Sequence, residues 1–418
     1  MPGVSSAFLT DAPPRPQAAS AAFVAALATA QVGAFLSFMP LLTILAPLKA
    51  AALDPANKAW ILAQVSFWGA LVAGVSNILA GVLSDATRSR FGRRRPWILA
   101  GLVGAVVSYL LIMRADAVPE LVAGVLLFQI GLNLLFGPLV ALLADCVPAA
   151  RRGRVAAFLG FAPPAGAMAG ALVAGLLPPQ DAVRYGAIAA LLVAATAPLL
   201  VLAPERPTGP GLLRLARPPR AEGVRGLRLD RDFAAAWLSR LLMQLAITIV
   251  SLFTLFSIQD RTALPRGLPP EALLSLLVGV SCVMQVAASL AGGFLSDHLG
   301  RRKPFVVGAG LLLAAGAVAL AFGTDWGLMA GAFLVFGLGY GLFTAVDAAL
   351  ITDVLPSAED AGGYLGLSNL ANTLPQMAAP LMGAALLEAA SGYAWLYLAA
   401  AAAATAGGLL VLAVRRVR

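Results

Sequence analysis

Long apolar runs, with the charges gathered between them, leave this chain few ways to fold. The runs fall near residues 20–48, 59–83, 97–114, 120–144, 156–177 and 183–203, and again near 233–258, 271–295, 305–323, 326–351, 364–388 and 393–414. A helix of about 20 apolar residues crosses the ~30 Å hydrocarbon core of a bilayer. Lipid offers no partner to an unpaired backbone N–H or C=O, so each run is expected to be a helix. Hydrophobic residues make up 60% of the chain and charged residues 12%, against about 25% charged in a soluble domain. The expected fold is an all-α membrane protein of twelve transmembrane helices, with the lipid bilayer as its partner. Breaks are read at Asp54-Pro55, Pro178-Pro179 and Ser391-Gly392. The first run holds Pro40 and Pro47, which predict a bend or an early end.

Arginine clusters orient the array. Arg93, Arg94 and Arg95 follow the second run, Arg151, Arg152 and Arg154 the fourth, and Arg301, Arg302 and Lys303 the eighth. Seven Arg from Arg206 to Arg231 fill the 204–232 segment, and Arg415, Arg416 and Arg418 end the chain. Alternating spans put all of these on one side, which is read as cytoplasmic, with both termini there. The loop after the tenth run departs from this, since Asp353, Glu359 and Asp360 make it acidic. The first twenty residues carry Asp11 and a Pro-rich patch without a cationic start, and are read as a cytoplasmic tail rather than a cleaved leader. Abundant Ala, Arg and Gly with only three Lys point to a high-GC bacterial source, hence an inner membrane location.

Several function classes find no support. Two cysteines, Cys146 and Cys282, and one histidine, His298, provide neither a disulfide framework nor a Cys/His metal cage. No metal spacing or nucleotide loop suggests an enzyme, and no cofactor is expected. The 29 Lys and Arg exceed the 20 Asp and Glu, but they sit in short loops, which indicates topology rather than nucleic-acid binding. His298 is expected to be a solvated loop residue, and the cysteines small apolar fillers.

The chain repeats itself. Gly81-Val-Leu-Ser-Asp85 followed by Gly92-Arg-Arg-Arg-Pro96 resembles Gly293-Phe-Leu-Ser-Asp297 followed by Gly300-Arg-Arg-Lys-Pro304. A second pair lies in register, Ala144-Asp145-Cys-Val-Pro148 with Thr352-Asp353-Val-Leu-Pro356. The expected organisation is a six-helix half over 1–203, an Arg-rich cytoplasmic linker over 204–232 and a second six-helix half over 233–418. Repeats of this kind place a binding site near the bilayer midplane, between the halves.

The G-x-x-x-D-x-x-G-R-R pattern is similar to the signature loop of the major facilitator superfamily. The second copy fits directly, and the first carries four extra residues, Thr87 to Arg90 included. Gly81 and Gly293 are expected to let helices approach closely. Asp85 and Asp297 are expected to accept hydrogen bonds from a helix start or from Arg. Together with Gly92, Arg93, Arg94, Asp145, Gly300, Arg301, Arg302 and Asp353 they would brace a cytoplasmic gate. The plainer alternative is a tight turn with topology-setting Arg.

A closer likeness appears in Ser84-Asp-Ala-Thr-Arg-Ser-Arg-Phe-Gly-Arg-Arg-Arg-Pro96, in Asn133-Leu-Leu-Phe-Gly-Pro138 with Ala141-Leu-Leu-Ala-Asp145, and in Gly337-Leu-Gly-Tyr-Gly341 with Asp347 and Asp353. These blocks resemble the sucrose-transporter family and the glycoside–pentoside–hexuronide cation symporters. The resemblance implies import of a disaccharide such as sucrose or maltose, or of another glycoside, driven by protons and a proton gradient, in a monomer. Plant members carry an acid ahead of the span-4 Asn. Here that stretch reads Phe128-Gln-Ile-Gly131, so no coupling residue is carried over to it.

Ionisable groups within hydrocarbon are functional candidates by default. Asp347, about 9 Å deeper than Asp353 at 1.5 Å per residue, and Arg240, well past Asp232, lie within their runs and are the proton-coupling candidates; the alternative is a fixed structural brace, since Asp347 lies towards the cytoplasmic end. Neutral polar residues recur at helical spacing: Gln244, Thr248 and Ser251 beyond Arg240; Tyr340 and Thr344 before Asp347, with Phe343 beside them; Asn369, Asn372, Thr373 and Gln376; Gln129 and Asn133; Ser281 and Gln285. Amides and hydroxyls both donate and accept, which suits a neutral polyol. Trp68, Tyr340 and Phe343 are candidate faces for a sugar ring. Hydrogen bonding between helices is the alternative for each residue, at about 0.6–2 kcal/mol per contact. Two other activities stay open: a proton-driven exporter of drugs or metabolites, and a transporter-like sensor. Exporters of this kind usually carry G-P-x-x-G-G in span 5, where this chain reads Gly160-Phe-Ala-Pro-Pro-Ala-Gly166.

Overall fold

The computed structural model describes residues 20–205, 214–215, 230–354, 361–390 and 392–415. Among these the chain is almost wholly helical. Twelve rods follow in order: α1 Ala21–Leu53, α2 Lys58–Ala86, α3 Arg95–Arg114, α4 Val118–Cys146, α5 Ala149–Leu176, α6 Asp181–Leu202, α7 Arg231–Arg261, α8 Pro270–Leu299, α9 Lys303–Phe322, α10 Trp326–Asp353, α11 Ala361–Ala390 and α12 Tyr393–Ala413. Eleven are long and apolar enough to cross a membrane, and α11 is a helix of 30 residues. Most of the linker, with Arg206, and also Pro356, Glu359, Asp360, Arg416 and Arg418, lie outside the described residues.

Every rod but α12 extends past the apolar run that predicts it at one end or both. Asp85, Asp145, Asp297 and Asp353 fall inside the last turns of α2, α4, α8 and α10 rather than in loops. A carboxylate there faces the negative end of the helix dipole, so it needs a cation nearby. The first rod does not end early. Pro40 neither ends nor visibly shortens α1; the helix continues through a π-turn over Leu41–Leu45, where the Ala46 N–H donates to the Leu41 carbonyl. A proline lacks the N–H that would complete the preceding turn, and a wider turn restores bonding beyond it. α5 is interrupted at Gly160-Phe161, ahead of Pro163 and Pro164, whose missing N–H groups suit a helix start. Between α1 and α2, Asp54 caps the turn by accepting from the Ala56 N–H at 3.0 Å and the Asn57 side chain at 2.7 Å. The Asn57 side-chain bond is the main cause holding this carboxyl below its usual range.

The packing shows the repeat. α1 lies against α5 and α6, α2 against α4, and α3 against α4 and α6. The same scheme recurs six helices later, with α7 against α11 and α12, α8 against α10, and α9 against α10 and α12. The two sets meet along α5 with α8 and along α2 with α11. One crossing depends on glycine. A Cβ at Gly341 would lie 2.2 Å from the Gln285 carbonyl oxygen, and one at Gly337 2.5 Å from that of Ser281. Only hydrogens let α10 approach α8 so closely, and this brings Ser281 and Gln285 beside Tyr340. Two of the four extra residues of the first loop also acquire a role: Thr87 and Arg88 pair antiparallel with Leu215 and Arg214 of the linker.

Candidate functional site

Two adjoining cavities occupy the seam between the sets. The larger, about 590 Å³, lies between α1, α2, α4 and α11 and is walled by Asn77, Gln129, Asn133, Asn369, Thr373 and Gln376 with Phe35, Phe38 and Phe136. It runs from mid-helix toward the Arg-rich end, reaching Gly366 in the second turn of α11. The smaller, about 230 Å³, is walled chiefly by α7, α8 and α10, through Gln244, Thr248, Ser251, Ser281, Gln285 and Tyr340. Phe38 and Gln376 belong to both walls, so the chambers adjoin at these side chains. Among the described residues, neither wall holds an Asp, Glu, Lys, Arg or His. The amides hold one another in place: Asn77 Nδ2 donates to Asn133 Oδ1 at 3.1 Å, and Asn133 Nδ2 to the Gln129 carbonyl at 2.9 Å.

Of the residues singled out from sequence, Gln129, Asn133, Gln244, Thr248, Tyr340, Asn369 and Gln376 line these chambers. Phe343, Thr344 and Asn372 do not. Phe343 is buried in the apolar core, and the Thr344 hydroxyl bonds back to the Gly341 carbonyl of its own helix. Trp68 is 48% exposed on the outside of the bundle, edge-on to Phe67, and offers no face to the cavity. Several wall residues escaped the sequence reading, among them Asn77, Phe35, Phe38 and Phe136. For Asn77 the signal was the small-residue stripe Ala70, Ala73, Gly74 running into it at helical spacing; Phe35 and Phe136 are brought together only by the fold, edge-on at 5.4 Å.

Asp347 and Arg240 do come together. Arg240 Nη1 stands 3.3 Å from Asp347 Oδ2, and both side chains are largely buried. The Arg240 Nε–H also donates to Asn372 Oδ1 at 3.1 Å. Neither charged residue belongs to a cavity wall. The pair sits nearer the Arg-rich end than Tyr340 and Gln244.

At the Arg-rich end the first loop closes a charge network. Arg94, 4% exposed, reaches Asp85 at 2.6 Å and Asp145 at 2.9 Å and donates to Ser84 Oγ at 2.6 Å, while Arg93 lies 3.3 Å from Asp145. Glu205 accepts from the backbone N–H groups of Arg94 and Arg95 at 2.8 and 2.9 Å, capping α3. The second loop is sparser: Arg302 pairs with Asp353 at 2.9 Å, and Asp297 makes no ion pair with a described residue. Arg301 and Asp297 are exposed. Gly92 and Gly300 hold the turns at φ of +93° and +60°, where a side chain would be strained. Gly81 and Gly293 overturn their expectation. A Cβ at either would meet nothing within 4 Å, so neither marks a close helix contact here. His298 also departs from a loop position; it lies in the last turn of α8, stacked on Phe294.

The opposite end is tied across the two sets. Lys58 Nζ lies 2.6 Å from Asp260 Oδ1, Trp60 Nε1–H donates to Glu388 Oε2 at 2.9 Å, Arg184 Nη2 to Glu271 Oε1 at 2.8 Å, and Ser275 Oγ–H to the Ala171 carbonyl at 2.6 Å. The Arg184–Glu271 pair is buried. These ties join the two sets at the end away from those two chambers, where Lys58, Trp60, Asp260 and Glu388 line a further groove of about 680 Å³.

A sequence profile described as Major Facilitator Superfamily matches residues 21–268 and 269–418. The chain belongs to the Major Facilitator Superfamily. Its apolar helices make it a multi-pass membrane protein of that superfamily. It is 32% identical over 143 residues, 33% of its own length, to an uncharacterized MFS-type transporter of Schizosaccharomyces pombe. It is 26% identical over 197 residues, 46% of its length, to the acurin A biosynthesis cluster MFS-type transporter of Aspergillus aculeatus. These alignments span 31% and 33% of the two relatives, about a third of each. Among solved structures, a peptide transporter POT in complex with sulfate matches with a TM-score of 0.72 at 13% identity, over 94% of both chains. A POT family transporter in complex with 5-aminolevulinic acid matches with a TM-score of 0.71 at 11% identity, over 93% of this chain and 95% of that one. At such identities the likeness concerns the fold alone.

Proposed function

We propose that this superfamily member is a secondary active transporter, not an enzyme, that moves a neutral polyhydroxylated solute with protons by alternating access. The solute class is a disaccharide such as sucrose or maltose, or another glycoside. The observation that carries this reading is a pair of chambers whose polar groups are all neutral, amides and hydroxyls set among aliphatic and aromatic side chains, with no charged side chain among the described residues. Amides pair with hydroxyl groups as donor and acceptor alike. A charged amino acid or a zwitterionic peptide would be buried there without a countercharge, which is strongly unfavourable. Two chambers meeting at Phe38 and Gln376 suit a solute of two joined rings better than a single one.

Asp347 is the proposed proton carrier and Arg240 its partner, with the proton gradient as the only energy source and no cofactor. With the Arg-rich end in the cytoplasm, the structure is inward-open, and the Lys58–Asp260 and Arg184–Glu271 ties form the closed outer gate. The proposed setting is a bacterial inner membrane, with both termini cytoplasmic and the protein a monomer. A proton-driven exporter is the second reading, because Phe35, Phe38 and Phe136 would also receive an apolar solute.

Uptake in proteoliposomes decides between them. An inward proton gradient is expected to accumulate sucrose, maltose or a related glycoside, and collapse of the gradient to release it. No uptake across a broad glycoside panel, with expulsion of a lipophilic cation, rejects the importer in favour of the exporter.

A further inference from the structure

Asp347 lines neither cavity, so its charge state reaches a bound solute through its neighbours, Tyr340 on its own helix and Arg240 on α7. One guanidinium bridges that gap. Arg240, from α7, directs Nη1 to Asp347 on α10 at 3.3 Å and Nε to Asn372 Oδ1 on α11 at 3.1 Å. Asn372 Nδ2 in turn donates to Asn369 Oδ1 at 3.4 Å, and Asn369 lines the larger cavity. The chain of contacts thus runs from a buried carboxylate outside the cavity to an amide inside it, across three helices.

The fork is rigid, because the guanidinium is planar and its N–H groups point in fixed directions. A shift in its hold on Asp347 therefore changes its angle to Asn372. The titratable and charged groups facing Asp347 are Arg240 from α7 and Tyr340 from its own helix, with Cys282 of α8 beyond Tyr340. From α11 the network receives an amide, not a charge. Once Asp347 is neutral, the strongest acceptor left to Arg240 in this network is Asn372, and the guanidinium settles toward α11.

We infer that Asn372 is a positioning residue that passes the charge state of Asp347, through Arg240, to Asn369 and the cavity wall. The inference rests on the proposed coupling role of Asp347. It assigns to Asn372, which lines no chamber, control over how tightly solute is held in the protonated and deprotonated states.

The test is a double-mutant cycle that needs no solute. Cys282 lines the smaller chamber, and its alkylation by a maleimide is followed in the full-length protein carrying Cys146→Ser. Asp347→Asn is expected to change the rate about tenfold, a coupling of ordinary allosteric size. In an Asn372→Leu background the same substitution is expected to change it less than about twofold, because coupled sites are non-additive. Asn372→Ser, which keeps an oxygen acceptor, should restore most of the response. An Asp347→Asn effect of equal size in both backgrounds overturns the relay, and so does no effect in either. In proteoliposomes Asn372→Leu should abolish uphill accumulation yet retain exchange, whereas a merely structural role lowers both together. Failure of the parent protein to accumulate any glycoside would refute the proposed solute and leave the alkylation cycle to judge the relay.

Discussion

Arg240 and Asp347 form an ion pair of 3.3 Å that joins α7 to α10 within the apolar body of the protein. Removing one partner of such a pair strands the other, at about 3–5 kcal/mol in buried sites. Arg240→Gln or Asp347→Asn alone should therefore lower the melting temperature of the purified protein. The double substitution should recover part of the loss. A melting temperature that falls additively in the double variant would show that the two residues are not energetically paired.

Asp347→Asn also separates coupling from transport. Exchange of solute across a membrane without a gradient is expected to persist, while gradient-driven accumulation is lost. Unchanged accumulation would place the proton carrier at another residue.

The outer ties should set the balance between inward-open and outward-open forms. Lys58→Asp breaks the pair with Asp260 and sets two carboxylates against each other. It is expected to raise labelling of a cysteine introduced at Ala171, beneath that end. Lys58→Asp combined with Asp260→Lys should return labelling toward the starting level, since the pair is restored in reverse. Equal labelling in all three proteins would mean that the pair is a surface contact of little weight.

The glycines make a contrast that sequence patterns alone do not. Gly341→Val should reduce the yield of folded protein severely, because its Cβ would fall 2.2 Å from the Gln285 carbonyl. Gly81→Ala meets open space and should change stability by no more than about 0.5 kcal/mol. Size-exclusion profiles of the detergent-extracted variants report both.

The two signature loops should respond unequally. Arg94 serves Asp85, Asp145 and Ser84 and is almost fully buried, whereas Arg302 serves Asp353. Arg94→Ala should lower the melting temperature clearly more than Arg302→Ala, and equal losses would deny the asymmetry.

Much of the fold was legible because lipid forces a simple code: apolar length makes a helix, and Arg clusters mark one side. The ends were less legible, since helices continue past the apolar runs into Asp85, Asp145 and Asp353. The Arg240–Asp347 pair could be anticipated because ionisable groups are so rare within the runs. Direction around the helix axis was harder. Trp68 faces outward, and Phe343 is absorbed in the core, although each lies near true wall residues in sequence. Asn77 was missed because a single amide makes no stripe; only the small residues beside it betray the cavity. Gly81 and Gly293 show the reverse error, where a motif glycine suggested contact and the structure holds open space.

The strand formed by Thr87 and Arg88 bears on how far the two sets of helices can travel. Glu205 is fastened to the start of α3, and Leu215 is fastened to the extended loop, so the connecting chain is anchored twice before it departs for α7. The connection from the first set to the second is then measured from Leu215 rather than from the end of α6. A shorter leash raises the effective concentration of one set beside the other. Deleting the four-residue insertion would let out slack without altering a single contact in the cavity.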